Sequence, residues 1–154
     1  MTKMSLMRKE KAWGDTAVDG LLAGLVGGLV MGLFLGLVGW LAGRSPLELL
    51  GHFDPAQAGS WLTGLLAHLA VSAIYGAVFG LLWGAVGRIR PSLVRWGWLL
   101  GLGYGLLLWL MALGLVLTAV GAPLAQILPW QFGLAHLIYG LALGFWFGRI
   151  EISG

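Results

Sequence analysis

The sequence predicts an all-α fold, a polytopic membrane four-helix bundle built from two helical hairpins repeated in parallel. Three observations predict it. Four long apolar segments follow one another, glycine recurs at every fourth residue within them, and Lys and Arg are concentrated at their ends. Of the 154 residues, 59% are hydrophobic and only 10% are charged, a composition far from that of soluble domains. The bilayer is therefore the expected solvent of most of the chain.

The predicted membrane spans are long enough to cross a hydrocarbon core of about 30 Å at a rise of 1.5 Å per residue. They cover residues 17–42, 61–87, 97–120 and 131–148. Residues 1–16 form a basic arm, and residues 17–154 form a single membrane domain. The first apolar run exceeds the roughly 7–15 residues of a signal-peptide core, so we expect it to be retained.

The connections between spans differ in character. Gly43 and Pro46 end the first span, and residues 47–54 are short and amphipathic, which predicts an interfacial turn of helix on the outer surface. Residues 88–95 form a basic connection on the opposite side, and residues 121–130 form a second outer loop. The carboxylates and the imidazole of the first outer loop (Glu48, His52 and Asp54) suit either a cation or a solvated surface turn.

Glycine at four-residue steps predicts packing seams of the glycine-zipper type. Residues four apart lie in one slowly drifting stripe on a helix. Without a Cβ the backbones approach closely, and in lipid this packing, rather than the burial of apolar surface, associates helices. The predicted packing residues are Gly20, Gly24, Gly28, Gly32, Gly36, Gly76, Gly80, Gly84, Gly101, Gly105, Gly140, Gly144 and Gly148.

An internal repeat relates the two hairpins. Setting Gly20 against Gly97 aligns three glycines of the first and third spans and also brings Pro46 onto Pro123. The two hairpins then run in the same direction, about a pseudo-two-fold axis along the membrane normal. Aligning the second and fourth spans from their inner ends pairs His136 with Ser72. That alignment leaves His68 one turn, roughly 6 Å, nearer the outer surface.

The closing run H-L-I-Y-G-L-A-L-G-F-W-F-G-R-I at 136–150 carries the most specific family signal. Together with the glycine-stepped first span, Pro46-Leu47 and the intramembrane His68, it resembles an uncharacterised family of small bacterial four-span membrane proteins with Gly-rich spans. The similarity extends to the layout of the whole chain. It implies a four-span topology and no chemistry.

Two intramembrane histidines are the main candidate functional groups, because ionisable side chains within spans are costly. One interpretation is a bis-histidine haem b, or a metal, held by His68 and His136. A second is a contact with a quinone, or proton handling. The third is a polar interior site in which each imidazole hydrogen-bonds a carbonyl, Ser72 or a tyrosine, with Tyr75 and Tyr139 as the nearby hydroxyls. We expect both rings to face the bundle interior without haem. A porphyrin needs its two ligand helices roughly 14 Å apart, and glycines beside both histidines favour closer approach.

Catalysis and nucleic-acid binding are not expected. Ser72 with His136 imitates a serine–histidine dyad, but the sequence offers neither a nearby acid nor an oxyanion loop. The chain contains no cysteine, which excludes thiolate chemistry, and its basic residues lie at segment ends, where orientation and anionic headgroups explain them.

The function predicted first is that of a non-enzymatic accessory or structural subunit of a membrane complex, or of a self-associating bundle. Its partners are the lipid bilayer and either other membrane subunits or itself. The alternatives are a haem b or metal-binding electron carrier that uses both histidines, and a small transporter or channel, which the repeat suggests.

We predict a multi-pass protein of the inner membrane with both termini in the cytoplasm. Of the nine Lys and Arg residues, only Arg44 lies on the outer side, and this asymmetry sets orientation. Alkaline phosphatase fused after Ala58 should be active, whereas fusions after Arg95 or Gly154 should be inactive. Activity at either of the last two positions would contradict the topology.

Overall fold

The computed structural model describes residues 12–118 and 128–152, and these residues form an all-α structure. The helices are α1 Trp13–Leu41, α2 Pro46–Gly51, α3 Trp61–Ile89, α4 Gly97–Thr118 and α5 Pro129–Ile152, and a 3-10 segment, Pro91–Trp96, joins α3 to α4. The prediction of an all-α fold is confirmed, and α1, α3, α4 and α5 match the four predicted segments within a few residues at each described end. Most of the basic arm and of the second outer loop lies outside the described residues.

Local sequence signals explain where the helices end. Gly43 adopts a positive φ of 78°, and the Arg44 N–H donates to the Gly39 carbonyl at 2.9 Å, a glycine-terminated C-cap that closes α1. Pro46 then starts α2, where its missing N–H costs nothing. At the start of α3 the Ser60 side chain accepts from the Thr63 N–H at 3.3 Å. The turn of helix predicted within 47–54 is confirmed as α2, and its position at the membrane interface stays a prediction.

The long helices pack in two antiparallel pairs, α1 with α3 and α4 with α5. Helix α1 also packs against α5, so it joins the two pairs, and α2 lies against the ends of α1 and α3 near their connection. We call this end of the bundle, where α1 joins α2, the loop end. Helix α1 is therefore the element that holds α3, α2 and α5 together.

Backbone meets backbone along the seam between α1 and α3. A Cβ placed on Gly24 would meet the carbonyl oxygen of Ser72 and, at 2.9 Å, the Cα of Gly76. A Cβ on Gly76 would lie 2.5 Å from the Cα of Gly24. Gly20 and Gly80 likewise face backbone, from Gly76 and Thr16 respectively. Any side chain at these positions would force the two helices apart.

The seam between α4 and α5 repeats this arrangement. A Cβ on Gly101 would meet the Gly140 carbonyl oxygen and, at 2.9 Å, the Cα of Gly144. Gly105 faces the carbonyl of His136, and a Cβ on Gly144 would lie 2.5 Å from the Gly97 oxygen. Both hairpins are thus built on direct backbone approach.

The remaining predicted packing glycines face side chains or open space rather than backbone. Gly28 meets the Ser72 side chain and Gly84 the side chains of Arg88 and Thr16, whereas Gly32 and Gly36 have their nearest neighbours at 3.6 and 4.0 Å. A Cβ on Gly148 would meet nothing within 4 Å. The structure therefore does not place Gly148 at a helix contact.

The two hairpins contact each other through different kinds of residue, small ones on α1 and large ones on α4. Gly27 and Ala23 of α1 face α5, and a Cβ on Gly27 would lie 3.0 Å from the Tyr139 ring. At the offset of 77 residues their counterparts on α4 are Tyr104 and Leu100. These larger side chains occupy the corresponding space, so α4 meets α3 through side chains. Here the rings of Phe79, Trp83, Tyr104 and Phe147 form an aromatic cluster with centroid separations of 5.1 to 6.1 Å.

The outward surfaces of the helices are apolar. Leu33 and Ile74, for example, are 73% and 62% exposed, which is unfavourable in water and favourable in lipid. By length and composition three described segments are able to cross a membrane, namely Trp13–Leu41, Trp61–Ile89 and Pro91–Gly114. Helix α5, which contains the predicted span 131–148, is not one of these three, so a fourth crossing remains a proposal.

The seam predicts opposite effects for two alanine substitutions on α5. Gly140→Ala should lower the thermal midpoint in detergent by roughly 2–12 °C, because overpacking against backbone costs about 1–3 kcal/mol. Gly148→Ala, the matched control, should leave it unchanged or raise it, since alanine favours helix and the site is open. Equal effects of the two substitutions would show that Gly140 is not in tight contact.

Candidate functional site

Five polar residues of α3 and α5 are the candidate site residues, and we call His68, Ser72, Tyr75, His136 and Tyr139 the polar interior. His68 is 8% exposed and lies on α3 against α1. Its Nε2 is 2.9 Å from the carbonyl oxygen of Gly28. A carbonyl only accepts, so Nε2 carries the proton and donates it. The imidazole therefore ties α3 to α1 one turn from the tightest part of the seam.

His136 makes its hydrogen bond within its own helix. Its Nδ1 donates to the carbonyl oxygen of Phe132 at 2.8 Å, one turn earlier on α5, and the Phe132 ring meets the imidazole edge-on at a centroid distance of 4.5 Å. The side chain is 9% exposed. The two histidines are thus buried alike but use opposite ring nitrogens as donors.

Two tyrosines connect helices that do not share a glycine seam. The Tyr139 hydroxyl donates to the Ser72 carbonyl oxygen at 2.6 Å, which joins α5 to α3. The Tyr104 hydroxyl donates to the Tyr75 carbonyl oxygen at 2.8 Å, which joins α4 to α3. In each case the acceptor is a main-chain oxygen of α3, so Ser72 and Tyr75 contribute backbone rather than hydroxyl to these bonds. Tyr104 directly precedes the seam glycine Gly105, as Tyr75 precedes Gly76 and Tyr139 precedes Gly140, and this pattern predicts that the three tyrosines satisfy polar groups inside the bundle.

The contacts correct the predicted register of α3 and α5. Gly24 faces Ser72 and Gly76, whereas its counterpart Gly101 faces Gly140 and Gly144. Ser72 therefore corresponds to Gly140, an offset of 68 residues, and at that offset His136 corresponds to His68. The predicted pairing of His136 with Ser72 is wrong.

The error has a physical cause at the inner ends of the two seams. Gly80 packs on Thr16, one turn before Gly20, whereas α4 begins only at Gly97, the counterpart of Gly20. The seam of α3 is consequently one turn longer than that of α5. Gly148, which corresponds to Gly80, has no partner backbone for the same reason.

A cavity of about 420 Å³ opens beside His68 at the loop end of the bundle. Its walls come from α1, α2 and α3, and His136 is not part of them. Apart from His68 and Trp40, the lining side chains carry no polar atoms. The lining residues are Gly28, Leu29, Gly32, Leu33, Gly36, Leu37, Trp40, Pro46, Leu49, Leu50, Leu65, His68 and Leu69.

The connection between α2 and α3 is organised by Asp54. Its carboxylate is 3% exposed and accepts three backbone N–H groups, from Ala56, Ala58 and Ser60, each at 3.1 Å. An ionised carboxylate bound by several N–H groups holds a turn in place. The carboxylate is thus committed to its own loop rather than offered to a cation. Within residues 12–118 and 128–152, no group of three or more His, Asp or Glu side chains is placed to hold a metal ion.

The fold and the polar interior define the class to which this protein belongs, that of all-α, membrane-compatible proteins built from glycine-packed helical hairpins. Beyond the class, comparison with protein-family models, with curated proteins and with solved structures finds no match. The resemblance to a four-span bacterial family therefore stays a prediction.

Removing the Tyr139 hydroxyl tests the hydrogen bond that joins α5 to α3. Tyr139→Phe should lower the free energy of unfolding by about 0.5–1.5 kcal/mol, the net value of a hydrogen bond, because the Ser72 carbonyl loses its donor. Tyr75→Phe is the control, since the described residues give the Tyr75 hydroxyl no hydrogen-bond partner. Denaturation in detergent, followed by far-UV circular dichroism, measures both. Equal losses in the two variants would contradict a specific role for the Tyr139 hydroxyl.

Proposed function

We propose that this chain is a non-enzymatic integral membrane protein that crosses the inner membrane four times and serves as a structural or accessory subunit. It assembles either with other membrane subunits or with further copies of itself. One observation carries the proposal: three donors of the polar interior, those of His68, His136 and Tyr139, are directed at main-chain carbonyl oxygens of the bundle. His68, His136 and Tyr139 thereby hold helices or helix turns in place.

This use of the polar groups argues against catalysis. A general base or nucleophile must present its lone pair or hydroxyl to a substrate, and a second group must orient it. Here the Nε2–H of His68 and the hydroxyl of Tyr139 are bound to Gly28 and Ser72. Ser72 meets α1 through its side chain, which lies against Gly28 rather than beside an acid. The arrangement suits structural polar bonds between lipid-embedded helices.

The outer surface supports assembly. Gly103 of α4 is exposed and, like Gly148 of α5, has no atom within 4 Å of its Cβ position. Small residues on a lipid-facing surface permit another helix to approach closely. Glycine is thus present beyond what the two internal seams use.

One observation supports the haem alternative, and another argues against it. The corrected register places His68 and His136 at corresponding positions of the repeat, which removes the one-turn offset. However, His68 borders a cavity in which His136 has no part, and the Nε2 of His68 is occupied by the Gly28 carbonyl. A haem bridging both rings would require the helices to separate. The transporter or channel alternative rests on the repeat alone, and the change from Gly27 to Tyr104 breaks its symmetry.

Extraction from native membranes in a mild detergent tests the proposal. Light scattering, corrected for detergent, should give a protein mass above the 16.4 kDa of one chain, and SDS should reduce the tagged component to one chain. A particle that contains one chain and no other protein would contradict the subunit role. An absorption spectrum of the same sample separates the alternatives, because a Soret band lost in both His68→Ala and His136→Ala would favour haem.

A further inference from the structure

The cavity beside His68 exists because the glycines of α1 continue along the helix beyond the region in which α1 and α3 are in close contact. Gly20 and Gly24 meet the backbone of α3, and Gly28 meets the Ser72 side chain. At Gly32 the nearest neighbour is the imidazole of His68, 3.6 Å away, and at Gly36 it is the Pro46 ring at 4.0 Å. Helices α1 and α3 therefore diverge towards the loop end, and α2 covers the gap between them.

Two glycines in this gap are not required by helix packing. A Cβ at Gly32 or Gly36 would make only ordinary van der Waals contact, unlike one at Gly24. The space in front of them is bounded by α2, where Leu49 is 4% exposed and lies 3.8 Å from the Cβ position of Gly39. The absence of side chains at Gly32 and Gly36 therefore keeps a cavity open rather than bringing two helices together.

The shape of the cavity suits a chain-like molecule. Its α1 wall runs from Gly28 to Trp40, a length of about 18 Å at a rise of 1.5 Å per residue. Its volume of about 420 Å³ falls within the range of roughly 300–1,000 Å³ typical of ligand pockets. The walls are leucine and glycine, and the neighbouring surface at Leu33 and Leu37 is exposed to lipid. An apolar chain can thus enter sideways from the bilayer.

His68 gives the cavity its one buried polar group and defines what that group seeks. The side chain is 92% buried, and the Phe53 ring packs on the imidazole at a centroid distance of 5.0 Å. Because Nε2–H donates to Gly28, the neutral ring carries a lone pair on Nδ1, which has no partner among the described residues. Nδ1 is not fully enclosed by the protein, so a ligand that reaches it can supply the missing donor. The complementary ligand group is therefore an O–H.

From these contacts we infer that the cavity binds a membrane lipid with a hydrocarbon or prenyl chain and a hydroxyl group, and that the hydroxyl donates to Nδ1 of His68 while the chain lies along Gly32 and Gly36. The site depends on the membrane setting of the helices and not on the subunit role proposed above. The same chemistry is offered by aliphatic alcohols and by prenylated hydroquinones, and matched probes distinguish these two sources.

Native mass spectrometry of the delipidated full chain in detergent is the test. Wild type should bind 1-hexadecanol about 2–10-fold more tightly than its methyl ether, which has the chain but no donor, as expected for one hydrogen bond. A decyl hydroquinone is compared with its oxidised quinone, which also lacks the donor. A larger preference for the hydroquinone over the quinone than for the alcohol over the ether assigns the hydroquinone source, and the reverse assigns the alcohol.

Three variants locate the site. His68→Phe keeps a ring but removes the acceptor, so the preference for the hydroxyl probe should disappear while the ether still binds. Gly36→Leu fills the cavity without touching His68 and should weaken both probes at least tenfold, with Gly32→Leu as a second filling variant. Gly14→Leu, at an exposed position in the first turn of α1 with no atom within 4 Å of its Cβ position, should bind like wild type. Circular dichroism and a thermal midpoint show that each variant is folded.

Each of three results would overturn one part of the proposal, namely the role of His68, the location of the site or the site itself. Equal binding of alcohol and ether by wild type would overturn the role of His68 and leave only a lipid-filled surface. Unchanged binding in folded Gly36→Leu and Gly32→Leu would overturn the location. Failure of every probe to bind wild type would overturn the site itself without affecting the mass measurement that tests the subunit role.

Discussion

Direct approach of helix backbones is the constraint on which the rest of this structure depends. In lipid, burying a leucine between helices gains little over leaving it among acyl chains, so association relies on dispersion and on polar contacts at short range. Gly24 against Gly76, and Gly101 against Gly140 and Gly144, bring main chains together where any side chain would separate them. The carbonyls that accept from the polar interior are presented at or next to these seams.

The two hairpins do not form a symmetric bundle, and the reason is local. Gly27 lets α5 approach α1, with the Tyr139 ring in contact, whereas Tyr104 at the corresponding position holds α4 away from α3. The wider gap is filled by aromatic rings, including Phe79 and Phe147 at 5.7 Å. The difference between Gly27 and Tyr104 therefore explains why α1, rather than α4, contacts both hairpins. It also places the hydroxyls of Tyr139 and Tyr104 at carbonyls of α3.

The helix positions could be predicted from the sequence because their signals are local. The correspondence between α3 and α5 and the presence of the cavity could not be predicted. Apolar length, Gly43 with Pro46, and Ser60 mark the helix boundaries within a few residues. A four-residue glycine step matches itself after any shift of four, so the correspondence of His136 to His68 required the contact of Thr16 with Gly80. The neighbouring pair Gly27–Gly28 was an available sign that α1 has two contact faces. The cavity had no sequence signal, since it depends on how α2 lies across the diverging ends of α1 and α3.

Disulfide trapping in native membranes tests the central claim, that backbone approach through α1 orders the helices as α3, α1, α5, α4. The chain has no cysteine, so an introduced pair supplies the only thiols. Gly27→Cys with Tyr139→Cys should cross-link readily on oxidation. The corresponding pair of the repeat, Tyr104→Cys with Val71→Cys, should not, because Val71 is 48% exposed to lipid while Tyr104 is buried. Equal cross-linking of both pairs would indicate a symmetric bundle and contradict this arrangement.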